Sequence, residues 1–558
     1  MPIPVFVQTP PRLTNQYSDD AFLRSYLRRA LPADVLRAIE PELDQLGELA
    51  AGELYELQLT DRLNEPVLVQ WDAWGNRIDH IQVTPLWQRV APLAAQFGLI
   101  GIPYERAHGR YSRIHQFAAV LLFHPSSDLY TCPLAMTDGA ARTLSTVGNQ
   151  RLIDRAVIRL TSRAPRFAWT SGQWMTEATG GSDVGGSLTS AQLDATGEWR
   201  LYGKKWFTSA ITAEMALTLA RPAGNGPGGA GLAMFYVETH DATGRLNGLR
   251  VERLKDKLGT RKVPTAELLL DGARAELVGE SRNGTRAIEP MLVVTRAWNS
   301  VTSVASMRRA LALANSYARA RRAFGSRLDE LPLHIDTLAE LEAYTRAAFL
   351  LAFELVELLG KQEANELAGD EAALLRLLTP IAKLLTAKQA VAVVTEAIEA
   401  FGGAGYVEDT GLPGLLRDTH VLPIWEGTTN VLALDAVLRS GLGAGIAALH
   451  RRIDKSRDTL RVAQLITLCE QAKQAVQQVE HWLAAHHDTA RIQAGAREVA
   501  MSLGRALQLA LLCEHAQWSL EENDTSTLAA ARRFATRPIV TLRELDLDES
   551  RQLGDPLG

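Results

Sequence analysis

Apolar residues recur every three or four positions through much of the first 168 residues, as in Phe22, Tyr26, Leu36 and Ile39 and again from Leu86 to Phe97. That period predicts amphipathic helices, with Pro and Gly marking short loops between them. Near Trp169 the texture changes. Up to residue 278 the chain carries short runs such as Trp199-Arg200-Leu201-Tyr202, Ala216-Leu217-Thr218-Leu219, Met234-Phe235-Tyr236-Val237 and Glu267-Leu268-Leu269-Leu270. These predict strands of a small β domain joined by Gly-containing turns. From Gly284 to about Leu438 the helical period returns, with Leu292, Val301, Val304 and Leu311 on one stripe and Val391, Val394, Ile398 and Phe401 on another. Gly402 and Gly403 follow directly, where glycine can end a helix in the left-handed conformation.

The run Ser440-Gly441-Leu442-Gly443-Ala444-Gly445 predicts a linker, residues 446–535 predict further amphipathic helices, and roughly the last twenty residues a loosely ordered tail. The expected organisation is therefore multidomain α+β: an N-terminal helical domain over 1–168, a middle β domain over 169–278, a C-terminal helical bundle over 279–440, and an accessory C-terminal helical domain with its tail over 441–558. Strands segregated from helices argue for separate α and β domains and against a doubly wound sheet. The length of 558 residues exceeds what one core supports, about 250–300. No internal repeat at a solenoid period is present.

Composition adds little to this picture, with 46% hydrophobic and 22% charged residues. No uninterrupted apolar run reaches the roughly 18 residues of a membrane span, so a soluble protein is expected. Met1-Pro2-Ile3-Pro4-Val5-Phe6-Val7 lacks the basic region and cleavage pattern of a secretory signal. Cys132, Cys469 and Cys513 lie far apart, without the spacing of a metal site or disulfide framework, so a reduced, cytoplasmic setting and no metal are expected. A net charge of −5 gives no reason to expect a polyanionic partner.

Among the motifs, Gly224-Asn225-Gly226-Pro227-Gly228-Gly229 satisfies a dinucleotide fingerprint. Its context argues against one, because the strand-like Ala230 to Val237 follows and no helix N-terminus is available for a pyrophosphate. A hairpin loop is expected instead. The segment from Met175-Thr176-Glu177 through Gly181, Ser182 and Asp183 to Gly186 is rich in hydroxyls and glycine and would let a ligand approach backbone N–H groups, although an ordinary turn reads equally well. In Lys204-Lys205-Trp206-Phe207-Thr208-Ser209, strand alternation would place Trp206 and Thr208 on one face. An indole beside a hydroxyl suits a flat heteroaromatic ligand, while a half-buried core tryptophan is the commoner use.

These segments, with Arg321-Arg322-Ala323-Phe324-Gly325, Phe401-Gly402-Gly403-Ala404-Gly405-Tyr406 and Trp425-Glu426-Gly427-Thr428 in that order, resemble the acyl-CoA dehydrogenase superfamily. Thr131 to Thr137, Gly172 to Glu177 and the extra helical tail are similar to its AidB-type branch of alkylation-response flavoproteins and related dehydrogenases. The resemblance implies a four-helix bundle for the third domain and FAD as cofactor. It implies an FAD-contacting set of Met175, Thr176, Gly181, Ser182, Trp206, Thr208, Arg321, Phe324, Gly402, Gly403, Thr428 and Asn430. Within that set, Thr176 would meet the pyrimidine edge of the flavin, Trp206 would cover one face, Thr208 would reach the N5 region and Arg321 the pyrophosphate of a neighbouring subunit. A cofactor shared between subunits implies a homodimer or homotetramer.

Dehydrogenating an acyl thioester requires a base for the α proton, and the resemblance assigns that role to Glu426. Ser182, Thr295, Arg296, Trp425 and Gly427 would line the substrate pocket. Some family members carry the base just before an arginine on a long helix, where this chain has Thr295-Arg296, and threonine cannot take that role. Family nitroalkane oxidases use aspartate at the position of Glu426, which favours the thioester reaction here. The implied partners are an acyl-CoA and, as acceptor, an electron-transfer flavoprotein. Glu399 stands where many dehydrogenases have a glutamine near the FAD diphosphate, an unfavourable charge unless it is paired or turned away.

Two rival functions go with the same fold. One is a DNA-associated protective flavoprotein, as proposed for one AidB-branch member. Residues 440–558 hold fourteen Lys and Arg against fifteen Asp and Glu, a net of −1, so a nucleic-acid partner is not favoured. The basic stretch Arg451, Arg452, Lys455, Arg457 and Arg461 is interrupted by Asp454 and Asp458 and reads as a solvated helix face. The other rival is an acyl-lipid binding or sequestering protein with little turnover, against which Glu426 argues.

Overall fold

A computed structural model describes residues 8–544 and 546–555, so the N-terminal run Met1 to Val7 lies outside the described residues. The chain forms two compact units, one built from residues up to Glu40 together with those from Asn299 onward, the other from Pro41–Trp298.

The Pro41–Trp298 unit holds nine strands. Val67–Trp71 (β1) and Arg77–Gln82 (β2) make an antiparallel pair inside the stretch whose periodicity reads as helical. Ser171–Trp174 (β3), Ser190–Leu193 (β4), Trp199–Thr208 (β5), Met215–Pro222 (β6), Ala233–Glu238 (β7), Leu249–Leu254 (β8) and Ala266–Val278 (β9) form one sheet in the order β3-β6-β4-β5-β9-β7. Because β7 also pairs with β6, the path closes on itself, and β8 joins beside β9. Closure leaves few free edges. Trp174, Leu201, Phe235, Val237, Leu268 and Leu270 belong to one buried cluster of this sheet. A second cluster joins the sheet residues Met215, Leu217 and Met234 to Ala140, Leu144 and Met291 of flanking helices. The glycine-rich run at 224–229 is the connection between antiparallel β6 and β7.

The other unit is helical. Helix Ala21–Ala30 begins at Asp20, whose carboxylate accepts from Leu23 N at 2.9 Å and so satisfies an otherwise open amide. Pro332–Glu363, Glu371–Glu399 and Thr489–Glu521 are the longest helices lying wholly in this unit. Glu371–Glu399 is long and apolar enough to cross a membrane by length and composition, but 83% of its most apolar window is buried inside the protein. It is a core helix packed against Pro332–Glu363, and an all-round apolar surface is what such a position requires.

Candidate active site

The sequence-derived site residues fall into two groups, one in each unit. In the β unit, β3 delivers the chain into Met175 and Thr176, and β5 runs alongside through the bond from Trp206 N to Thr176 O at 3.0 Å. Met175 is buried, Thr176 half-buried, and Gly181 and Ser182 exposed. A Cβ on Gly181 would come within 2.6 Å of Thr176 Oγ1, so this close approach of loop to hydroxyl admits only glycine.

Simple alternation along β5 fails where it matters. The register against β9 shifts between Lys205 and Thr208, a bulge that leaves Lys205 and Thr208 fully buried, Trp206 half-buried and Phe207 exposed. The expected common face for Trp206 and Thr208 is therefore corrected: the extra residue re-aims the side chains between the two buried positions. Lys255 Nζ lies 3.5 Å from the centre of the Trp206 ring, a cation on one face of the indole. Glu267 holds that ammonium at 2.8 Å, and its own carboxyl is pulled down to about 2 by hydrogen bonds from Arg253 and Lys255. Thr208 Oγ1 is buried with no hydrogen-bond partner among the described residues.

Sequence reasoning left Glu177 without a role. The structure buries its carboxylate against Lys205 Nζ at 2.8 Å, Thr189 Oγ1 at 2.6 Å and Leu188 N at 2.7 Å. Burial alone would raise its pKa, but the Lys205 charge and these hydrogen bonds outweigh it and hold it below the ordinary value. Glu177 thus ties the loop carrying Thr176 and Gly181 to β5. Asp138 was missed as well. Fully buried, it receives Arg113 at 2.6 Å, Gln116 at 2.9 Å and the Trp298 indole at 2.8 Å, joining helix Thr131–Val147 to helix Glu289–Ala320. Thr295, expected in the substrate pocket, is buried near Gly139 on that same helix pair, and its hydroxyl donates to Met291 O at 3.1 Å. Arg296, beside it, is half-buried.

In the helical unit, Arg321 leads from the end of helix Glu289–Ala320 into a two-residue hairpin whose tip is Phe324-Gly325, both at positive φ. Phe324 is 97% exposed. Gly402 and Gly403 are exposed after the helix ending at Glu399, followed by Tyr406 at 91% exposure. Glu399 is exposed, with no ion-pair partner among the described residues. Thr428 opens helix Thr429–Leu434 and Asn430 is exposed on its first turn.

Between these lies the loop Trp425-Glu426-Gly427-Thr428. Glu426 is half-buried with φ +56°, a conformation costly for a side chain with a Cβ, and Gly427 follows at φ +104°. Lys383, fully buried on the core helix, donates from Nζ to the Gly427 carbonyl at 2.7 Å. On the other side the Trp425 indole N–H donates to Asn299 Oδ1. A left-handed glutamate is thus held between two side-chain anchors.

Known proteins match along the whole length. Residues 8–164 match the adaptive response protein AidB N-terminal domain, 172–273 the acyl-CoA dehydrogenase middle domain, 282–441 the acyl-CoA dehydrogenase C-terminal domain, and 446–553 the acyl-CoA dehydrogenase 11 C-terminal domain-like profile. Acyl-CoA dehydrogenase family member 11 of Caenorhabditis elegans is 43% identical across 96% of this chain and 90% of its own length. The chain belongs to the acyl-CoA dehydrogenase family. The crystal structure of Caenorhabditis elegans ACDH-11 in complex with C11-CoA superposes with a TM-score of 0.95, at 42% identity over 99% of this chain and 97% of that one. The AidB protein of Escherichia coli (strain K12) is 32% identical over 72% of this chain and 73% of its own.

Within the acyl-CoA dehydrogenase framework, the β-unit residues fit a bound flavin. Thr208 offers a buried hydroxyl with no hydrogen-bond partner among the described residues, Trp206 an indole already backed by a cation, and the Thr176 loop a glycine edge without side-chain bulk.

Proposed function

We propose that this chain is an FAD-dependent acyl-CoA dehydrogenase in which Glu426 removes the α proton of an acyl thioester. The observation that carries the reading is the loop around Glu426: a glutamate kept in a left-handed backbone by Lys383 and Asn299 is a carboxylate aimed at fixed cost, as expected of a group that must meet one substrate atom. FAD, when bound, supplies the acceptor for the β hydride. Thr176, Gly181 and Ser182 with Met175 would hold its ring system from one side, Trp206 would stack on it, and the Thr208 hydroxyl would donate to it. Arg321 would meet the pyrophosphate of an FAD held by a neighbouring subunit, and Phe324, Gly402, Gly403, Thr428 and Asn430 are the helical unit's further proposed FAD contacts. Trp425 and Gly427 flank the base and would shape the acyl site within the helical unit. Electrons would leave to a separate acceptor of the electron-transfer flavoprotein class.

Oligomerisation belongs to the same proposal. Phe324 on a positive-φ turn and Tyr406 beside the glycines present large aromatic surfaces that a monomer leaves in water, and a second copy of the chain covers them in this reading. The branch assignment is more specific than AidB itself, since the C-terminal 446–553 segment matches the acyl-CoA dehydrogenase 11 type.

A DNA-binding role receives no support from charge. Arg451 pairs with Asp370, Arg452 with Glu354 at 2.6 Å and Glu514 at 2.8 Å, and Arg457 with Glu470 at 3.0 Å, so most of the basic stretch is spent inside its own unit. The test is anaerobic titration of the FAD-loaded protein with straight-chain acyl-CoAs, including the eleven-carbon thioester. Bleaching of the flavin band is expected; no bleaching with any chain length contradicts dehydrogenation and favours sequestration.

A further inference from the structure

Asn299 accepts the Trp425 indole through one end of its amide, and the mechanism above leaves the other end without a role. It is 3% exposed on helix Glu289–Ala320. An indole N–H can only donate, so the atom that receives Trp425 must be the amide oxygen, and the orientation of the amide is fixed by chemistry. The remaining end, Nδ2, carries two N–H donors. It is buried and has no hydrogen-bond partner among the described residues. A buried amide left half satisfied is a standing penalty that apolar residues of similar size avoid. Leucine would fill the space, and Trp425 could be held by packing. Retaining asparagine, one side chain away from the proposed base, is explained if the donor is met when substrate arrives.

We infer that Asn299 is a specificity-determining residue, whose Oδ1 anchors Trp425 while its Nδ2 donates to an oxygen carried by the acyl group, so that the preferred thioesters are oxygen-bearing rather than plain hydrocarbon acyl-CoAs. The inference rests on the reading of Glu426 as base, since that places the acyl carbons beside Trp425. The physics of selection is asymmetric. A pocket lined only by hydrocarbon separates an ether from a methylene weakly, whereas a buried donor favours the ligand that satisfies it and penalises the one that leaves it unpaired.

The experiment uses FAD-loaded Glu426→Gln protein, in which binding is measured by calorimetry without turnover. The ligands are octanoyl-CoA and the analogues with an ether oxygen replacing carbon 4, 5 or 6. At least one ether is expected to bind about tenfold more tightly than octanoyl-CoA, the worth of one buried hydrogen bond. Adding Asn299→Leu together with Trp425→Phe deletes the donor without stranding an unpaired indole, so the preference should vanish. Adding Trp425→Phe removes the indole bond and leaves the donor, so the preference should persist. Equal affinity for all four ligands in the Asn299 protein overturns the inference, as does a preference that survives Asn299→Leu with Trp425→Phe. A donor serving the thioester or the pantetheine carbonyls gives that equal-affinity result. Failure of the underlying reading is separately visible: flavin bleaching that continues in Glu426→Gln removes Glu426 as base, and absence of binding by every thioester removes the acyl site.

Discussion

At the scale of single residues, the candidate chemistry depends on side chains that hold others in place. Lys383 reaches the Gly427 carbonyl from a fully buried position, and no uncharged side chain of its length donates there. Lys383→Met should fold with FAD bound but lose about 10²-fold in turnover, the usual cost of misplacing a catalytic group by a fraction of its reach. The loss should fall on kcat more than on KM, measured by steady-state kinetics with flavin content checked by absorbance. Glu177 gives a pH prediction. Its carboxyl is held below the ordinary 4.5, so its contribution to stability is complete above that pH and is lost as the pH falls through the lowered folded value. Urea unfolding between about pH 5 and pH 3 should show a steeper loss for wild type than for Glu177→Gln.

At the scale of elements, the Asp138 network decides how helix Thr131–Val147 meets helix Glu289–Ala320. Asp138→Ala removes the buried carboxylate that receives Arg113, Gln116 and the Trp298 indole, and the expected destabilisation is about 3–5 kcal/mol, read as a fall in midpoint in chemical denaturation. The helical periods were legible because Val301, Val304, Leu311, Val394, Ile398 and Phe401 are buried, and the β runs were legible because their residues fill the sheet interior. The bulge in β5 was not. Nothing in Lys204 to Ser209 announces an extra residue, since the shift is set by pairing with β9, far along the chain. The pair β1–β2 was hidden for a similar reason: its strands are mostly half-buried or exposed and carry little period-2 contrast. Glu177 and Asp138 stood in plain view as letters, but a carboxylate becomes a structural anchor only through partners such as Lys205 and Arg113, whose proximity is a property of the fold.

At the scale of the whole molecule, the ordered motif set carried the family, whereas composition and charge carried only exclusions. The fourth segment illustrates why. Its basic stretch reads as a solvated helix face, yet Arg452 is turned inward to Glu354 and Glu514 and forms part of a buried network with Ser456. Burial weakens its pKa only in part, and the two carboxylates hold it well above the ordinary guanidinium value. Assembly gives a further prediction. Phe324→Glu places a charge on the exposed hairpin tip, and light scattering should show a lower mass than wild type at equal concentration; an unchanged mass removes the hairpin from the interface.

The central claim is that Glu426 takes the α proton. The most direct measurement is anaerobic stopped-flow reduction of the FAD-loaded protein by an acyl-CoA, comparing wild type with Glu426→Gln. Reduction slowed by at least about 10²-fold, with thioester binding retained, is the result the account predicts. Reduction at the wild-type rate contradicts it.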